Sequence, residues 1–249
     1  GGAGWGFLGG YEMILYPYVR GRDGYARKLS QIQWRHFGAS LAAIHAAQLT
    51  TELRASLPRE EFSDRGRKEL RSFQLLVQTR SFAEPIAADI AAFMLQQMEV
   101  IQEVRGRAEG LAKILRRRRL DMVLCHADLH PGNFLVADDD GVFIVDWDEA
   151  LLAPRERDLM FIGATGNPTG QEEIGAFYQG YGEVSLDHEL LAHYRYERIV
   201  QDLAAFCAQI LSTDQGGMDR AQGLEYFKSN FVPGGEIDIA RQTDRRAAR

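Results

Sequence analysis

Hydrophobic and polar positions follow two different periods along this chain. From Tyr25 to Leu49 the apolar residues Leu29, Ile32, Phe37, Leu41, Ile44 and Leu49 recur at spacings that share one helical face. Helical stretches follow near 60–80 and 83–104, and another closes at Arg116–Arg119, where the cations read as a solvated helix C-terminus. The texture then changes. Met122–His126, Asn133–Ala137 and Val142–Asp146 are short apolar runs that predict strands, and Asp138-Asp139-Asp140-Gly141 between the last two is a hairpin turn signal. Ahead of the first helix, Tyr11–Val19 predicts a strand ended by Arg20-Gly21, with ladder pairing stopping at Pro17. Beyond residue 170 helices resume, notably at about 188–213 and 218–230, before a turn at Pro233-Gly234-Gly235 and a polar tail. The expected fold class is α+β, mostly helical, with small β-ribbons in the middle of the chain.

Composition narrows this only a little. At 249 residues, 45% hydrophobic and 26% charged, the chain has the proportions of an ordinary globular protein. Its net charge of −6 argues against nucleic acid or an anionic membrane as partner and suits a cationic small molecule. Cys125 and Cys207 stand far apart in no metal-knuckle spacing, which fits a reducing cytoplasm. No apolar stretch runs long enough to span a bilayer.

The chemistry concentrates in His126-Ala127-Asp128-Leu129-His130-Pro131-Gly132-Asn133, followed by Ile144-Val145-Asp146-Trp147-Asp148. Phosphoryl transfer from a nucleotide needs one carboxylate to orient the acceptor hydroxyl and take its proton, and further oxygen ligands to hold magnesium against the phosphates. Asp128 on a loop after a strand, Asn133 where the loop re-enters a strand, and Asp146 at the end of the next strand can converge at one end of a β-ribbon. The competing chemistry is a metal hydrolase using His126, Asp128 and His130 as ligands.

This segment resembles the catalytic loop and metal-binding strand of the aminoglycoside phosphotransferase and choline kinase family, relatives of the protein kinases. The resemblance implies a protein-kinase-like C-terminal lobe, with Asp128 as catalytic base, Asn133 and Asp146 as ligands of Mg2+, and ATP or GTP as phosphoryl donor. It makes His126 and His130 supports of the loop, and places Asp158 where an Asp opens a helix behind it, as a helix cap. Ala127 stands where protein kinases carry an Arg, and Asp146 is followed within a few residues by Ala153-Pro154, leaving no room for an activation loop; a small alcohol is the expected acceptor. Trp147 and Asp148 would flank it.

Tyr16-Pro17-Tyr18-Val19 resembles the family's hinge, with the Pro17 carbonyl and Val19 amide turned to the purine. The segment from Tyr194 to Asp202 resembles the acceptor-lining helix of the spectinomycin-phosphotransferase branch, with Tyr194, Glu197 and Asp202 facing a cationic antibiotic. An ion pair of Glu197 with Arg198 is the structural alternative. On this reading residues 1–21 are the end of an N-terminal lobe and the hinge, 22–235 the catalytic and substrate lobe, and 236–249 a polar tail. Lys28, Lys68, Lys113 and Lys228 all follow the hinge, so no residue matches the phosphate-binding Lys, and a chain lacking that lobe is expected to be inactive alone. Gly4-Trp5-Gly6-Phe7-Leu8-Gly9 spells a glycine-loop motif but lacks a strand before it, and a hairpin turn is expected there instead. The alternatives to antibiotic phosphorylation are a metabolic kinase for choline, homoserine or a sugar, and a catalytically silent binding module.

Overall fold

The computed structural model describes residues 5–14, 17–139, 141–163, 170–213 and 215–247. The chain opens with strands β1 (Trp5–Leu8) and β2 (Tyr11–Ile14), paired antiparallel so that Leu8 faces Tyr11. The two-residue loop Gly9-Gly10 has φ of 59° and 86°, the double positive φ that a tight hairpin of right-handed twist demands and glycine supplies without strain. The glycine-rich opening does form a hairpin, but its turn is Gly9-Gly10, and Trp5–Leu8, expected as part of the turn, is its first strand. Among the described residues the strand expected over Tyr11–Val19 is seen at Tyr11–Ile14, and Pro17–Arg20 run without ladder pairing to β3 (Gly21–Asp23).

Helix α1 (Gln31–His45) starts at a capping box, in which the Ser30 hydroxyl accepts from the Gln33 amide and the Gln33 side chain accepts from the Ser30 amide. A short α2 (Thr51–Ser56) leads to α3 (Arg65–Thr79). The stretch expected as one helix over 83–104 is two, α4 (Pro85–Gln96) and α5 (Met98–Leu115), broken at Gln97. The apolar pattern runs on through that break, which hides it. Arg116 and Arg118 are exposed, as expected of a helix end, yet they also pin it: Arg116 donates to the Glu61 and Phe62 carbonyls, and Arg118 pairs with Asp187 and Glu189.

Two small sheets follow. Strand β4 (Val123–Cys125) pairs antiparallel with β7 (Leu151–Ala153), and β5 (Phe134–Ala137) lies between β3 and β6 (Val142–Ile144). Strand β7 escaped the hydrophobic pattern because its residues, all apolar, are too few to show a period of two, and β1 and β3 escaped it because they lie in glycine-containing stretches that read as turns. The remaining helices are α6 (Glu156–Leu159), α7 (Gln171–Tyr181), α8 (His188–Leu211), α9 (Gly217–Ser229) and α10 (Glu236–Ala247).

Helix α10 replaces the expected polar tail. Its buried face is only Ile237, Ala240 and Thr243, a narrow stripe in a polar sequence, and Arg107–Asp244 and Arg241–Glu103 ion pairs fasten it. Helix α8 is the central beam. Its residues enter one apolar cluster with α3, α4, α5, α9 and α10, and a second with α1, α6, α7 and the strand β5. No helix among the described residues is long and apolar enough to cross a membrane.

Candidate active site

The loop from His126 to Asn133 leaves β4 through a turn at Ala127, whose φ of 73° is unusual for a residue with a side chain. The neighbouring amides are caught by one carboxylate: Asp158 accepts from His126 N at 3.0 Å and Ala127 N at 2.7 Å. Asp158 therefore does not cap its helix. It sits inside α6, fully buried, and braces the strained loop, a role visible only once the loop is folded against it. Behind it His45 reaches Asp158 Oδ2 with Nε2 at 3.0 Å and the Tyr181 hydroxyl with Nδ1 at 2.7 Å.

His126 ties the loop to the end of the neighbouring strand. Its Nδ1 accepts from the Asp128 amide at 3.3 Å, so its Nε2 carries the hydrogen and donates to the Val145 carbonyl at 2.9 Å. Both ring nitrogens are spent, and the metal-hydrolase arrangement fails on that count. His130 Nδ1 accepts from Gly132 N at 3.0 Å, leaving Nε2 to face Asp128 Oδ2 at 3.4 Å. Trp147 packs edge-on against His126 at 4.7 Å between ring centroids and donates to the Ile144 carbonyl, so it stiffens the loop instead of flanking an acceptor.

Asp128 is half-buried and ringed by donors. Asn133 Nδ2 donates to its carbonyl at 2.8 Å and to Oδ2 at 3.3 Å, and Arg198 Nη1 donates to Oδ1 at 2.5 Å. Burial alone would raise the Asp128 pKa, but the His130 contact and the Arg198 charge outweigh it and hold the carboxyl well below the usual carboxylate range. With its nitrogen committed to Asp128, Asn133 keeps its side-chain oxygen as an acceptor. The Val145 amide donates to the Asn133 carbonyl at 3.0 Å, which sets Asp146 beside Asn133 at one end of the β5–β6 hairpin. Asp146 is exposed and adopts φ of 63°, ending the strand abruptly. Two hard oxygen donors at one strand end are a donor set that suits Mg2+.

Beside this loop lies a cavity of about 150 Å3 whose walls include Tyr25, His130, Met160, Arg198, Asp202 and Glu236. Of the residues expected there from α8, only Asp202 lines it. Tyr194 is buried against Phe62 and His193 with the Arg157 guanidinium over its ring, and Glu197 forms a buried pair with Arg67 from α3. Tyr194 thus meets the loop between α2 and α3 and Glu197 meets α3, neither of them lining the cavity, and Asp148 is exposed and does not line it either. Arg198, which the sequence offered only as a partner for Glu197, instead bridges Asp128 and Asp202. Its spacing of four from Asp202 was the available signal. Tyr25 carried none; it reaches the cavity because Gly24 donates to the Pro131 carbonyl at 2.8 Å.

Of the expected hinge residues, Tyr16 lies outside the described residues, Pro17 and Tyr18 are exposed and Val19 is half-buried. They connect the β1–β2 hairpin to β3. A buried trio, His45, Cys125 and Asp158, brings ligand atoms within 4.8 Å of one another, but each is already committed. The Cys125 thiol points at the Ala153 and Pro154 carbonyls, and burial raises its pKa far from the thiolate form a metal needs.

Known proteins match this chain. Residues 5–198 match the family model described as "Phosphotransferase enzyme family". The structure of spectinomycin phosphotransferase APH(9)-Ia in complex with ADP and spectinomycin is 35% identical, with a TM-score of 0.88 over 97% of this chain and 74% of that one. The AMP-bound complex of the same enzyme is 34% identical, with a TM-score of 0.86 over 97% and 75%. An aminoglycoside phosphotransferase from Alicyclobacillus acidocaldarius shares the fold at 13% identity, with a TM-score of 0.63 over 98% and 72%. No curated protein is similar enough to count as a match.

Proposed function

Because the chain belongs to the phosphotransferase enzyme family, we propose that it carries the γ-phosphoryl group of ATP to a hydroxyl of a small cationic alcohol, an aminocyclitol or aminoglycoside. The observation that carries this reading is Asp128, held by Asn133, His130 and Arg198 beside a cavity walled in part by Asp202 and Glu236. A carboxylate so placed orients a hydroxyl for in-line attack and takes its proton as the new phosphorus–oxygen bond forms. Asn133 and Asp146 would hold magnesium, which when bound supplies positive charge against the phosphates. The main chain of Pro17 and Val19 offers a carbonyl and an amide to adenine. The likeness to an enzyme solved with ADP and spectinomycin supports both the donor and the acceptor class.

The test is a coupled nucleotide assay of the full-length protein with spectinomycin, other aminoglycosides, choline and homoserine as acceptors. Spectinomycin or an aminoglycoside is the expected substrate, and turnover with choline or homoserine alone would replace the acceptor assignment. Asp128→Ala is expected to lower kcat by about 10²- to 10⁴-fold, the usual worth of general base catalysis, with nucleotide affinity retained in a binding titration. Undiminished turnover by that variant would remove Asp128 from the chemistry.

A further inference from the structure

Arg198 stands between the catalytic-loop carboxylate and the cavity. It lines the cavity wall, whereas Asp128 does not, and its guanidinium is bonded to the Asp128 carboxylate. The guanidinium is firmly held. Nη1 donates to Asp128 Oδ1 at 2.5 Å, Nε lies 2.9 Å and 3.1 Å from the two oxygens of Asp202, and the guanidinium lies over the Phe161 ring at 5.6 Å. The other oxygen of Asp128 is occupied by Asn133 and faced by His130. A hydroxyl arriving from the cavity finds the oxygen it must reach already paired.

Resting on the phosphotransferase reading above, we propose that Arg198 is a specificity gate, lifted only by an acceptor that brings its own cation to Asp202. In the exchange an ammonium group of the acceptor takes the Asp202 carboxylate, Arg198 lets go of Asp128, and the acceptor hydroxyl donates to the freed Oδ1. The acceptor oxygen then bonds to the γ-phosphorus, the bond from that phosphorus to the β-phosphate bridging oxygen breaks, ADP departs with those electrons, and the hydroxyl proton passes to Asp128. Water and uncharged alcohols cannot make the exchange at Asp202, so the gate stays shut against hydrolysis and against neutral polyols. Pairing of like for like explains why the cavity holds two carboxylates, Asp202 and Glu236, while two arginines, Arg195 and Arg198, also line it. Arg195 is tied instead to the Met160 carbonyl and the Thr243 hydroxyl, which leaves Arg198 as the cation in contact with the base.

The gate is tested with Arg198→Gln, which keeps polar hydrogen-bonding capacity on a shorter side chain and removes the charge, and Arg198→Lys, which restores the charge. Spectinomycin is the cationic probe acceptor and myo-inositol the neutral one. Arg198→Gln is expected to raise ATP hydrolysis without acceptor at least tenfold and to shrink the preference in kcat/KM for spectinomycin over myo-inositol at least tenfold, with Arg198→Lys returning both toward the parent values. Calorimetry without nucleotide supplies a readout independent of turnover: Asp202→Asn is expected to weaken spectinomycin binding at least tenfold. Parallel loss of all activities in Arg198→Gln with the preference intact, or full-strength spectinomycin binding by Asp202→Asn, overturns the gate. Failure of the parent protein to bind or phosphorylate spectinomycin or any other cationic alcohol would overturn the acceptor assignment on which the gate rests, and the gate with it.

Discussion

Asp158 spends its carboxylate on two main-chain amides and one imidazole while wholly buried, so it acts as a keystone for a loop whose Ala127 has positive φ. Removing one partner from such a network leaves buried donors unpaired, at a cost of about 1–3 kcal/mol each. Asp158→Ala is therefore expected to lose at least about 2 kcal/mol in denaturant unfolding, and a loss below half of that would show the loop holds itself. The residues proposed for the chemistry were readable from the sequence because phosphoryl transfer imposes an order of oxygen donors on contiguous strand and loop, and Asp128, Asn133 and Asp146 have that order. Asp158 was located but given a cap's role, since its partners lie 31, 32 and 113 positions upstream and only folding brings them together. Tyr194 and Glu197 were assigned to the cavity for a related reason. A helix shows which residues share a face, but what that face meets, here Phe62 and Arg67, is decided by a distant segment.

At the scale of elements, the pairing of α1 with α7 depends on two glycines. A Cβ on Gly180 would fall 1.8 Å from the Arg35 carbonyl oxygen, and one on Gly38 would fall 2.1 Å from the Phe177 carbonyl oxygen. Neither obstacle is a side chain that can swing away. Gly180→Ala is expected to destabilise the fold by about 2–3 kcal/mol, in the range of overpacked cores, while Gly175→Ala on the same helix, where a Cβ meets nothing within 4 Å, is expected to stabilise it by about 0.5–1 kcal/mol. Paired thermal melts decide it; equal effects of the two substitutions would contradict close helix approach. The strand positions were legible from short apolar runs, whereas α10 was not, because a helix fastened largely by ion pairs needs only a thin apolar stripe.

For the whole molecule, acid should act partly through His193, which is buried between α8 and α5. Burial, reinforced by the positive charge of Arg67, pushes its pKa down to about 3. The unfolded chain binds a proton at this residue below about pH 6.5 and the folded chain does not, so folding stability falls as pH drops from there toward 3. His193→Gln is expected to remove up to about 1.4 kcal/mol of that loss per pH unit, read as a shallower dependence of unfolding free energy on pH between 6 and 4; an unchanged slope would show that His193 is not the group involved. Helix α8, where His193 resides, alternates anchor and wall. Leu191, Val200 and Leu203 are sunk in the apolar clusters while Arg198 and Asp202 look into the cavity. Ile199 belongs to both sets, buried in the apolar cluster and part of the cavity wall, so along this one helix the packing of the core and the shape of the cavity are coupled: a substitution there that reshapes the cavity also disturbs the scaffold.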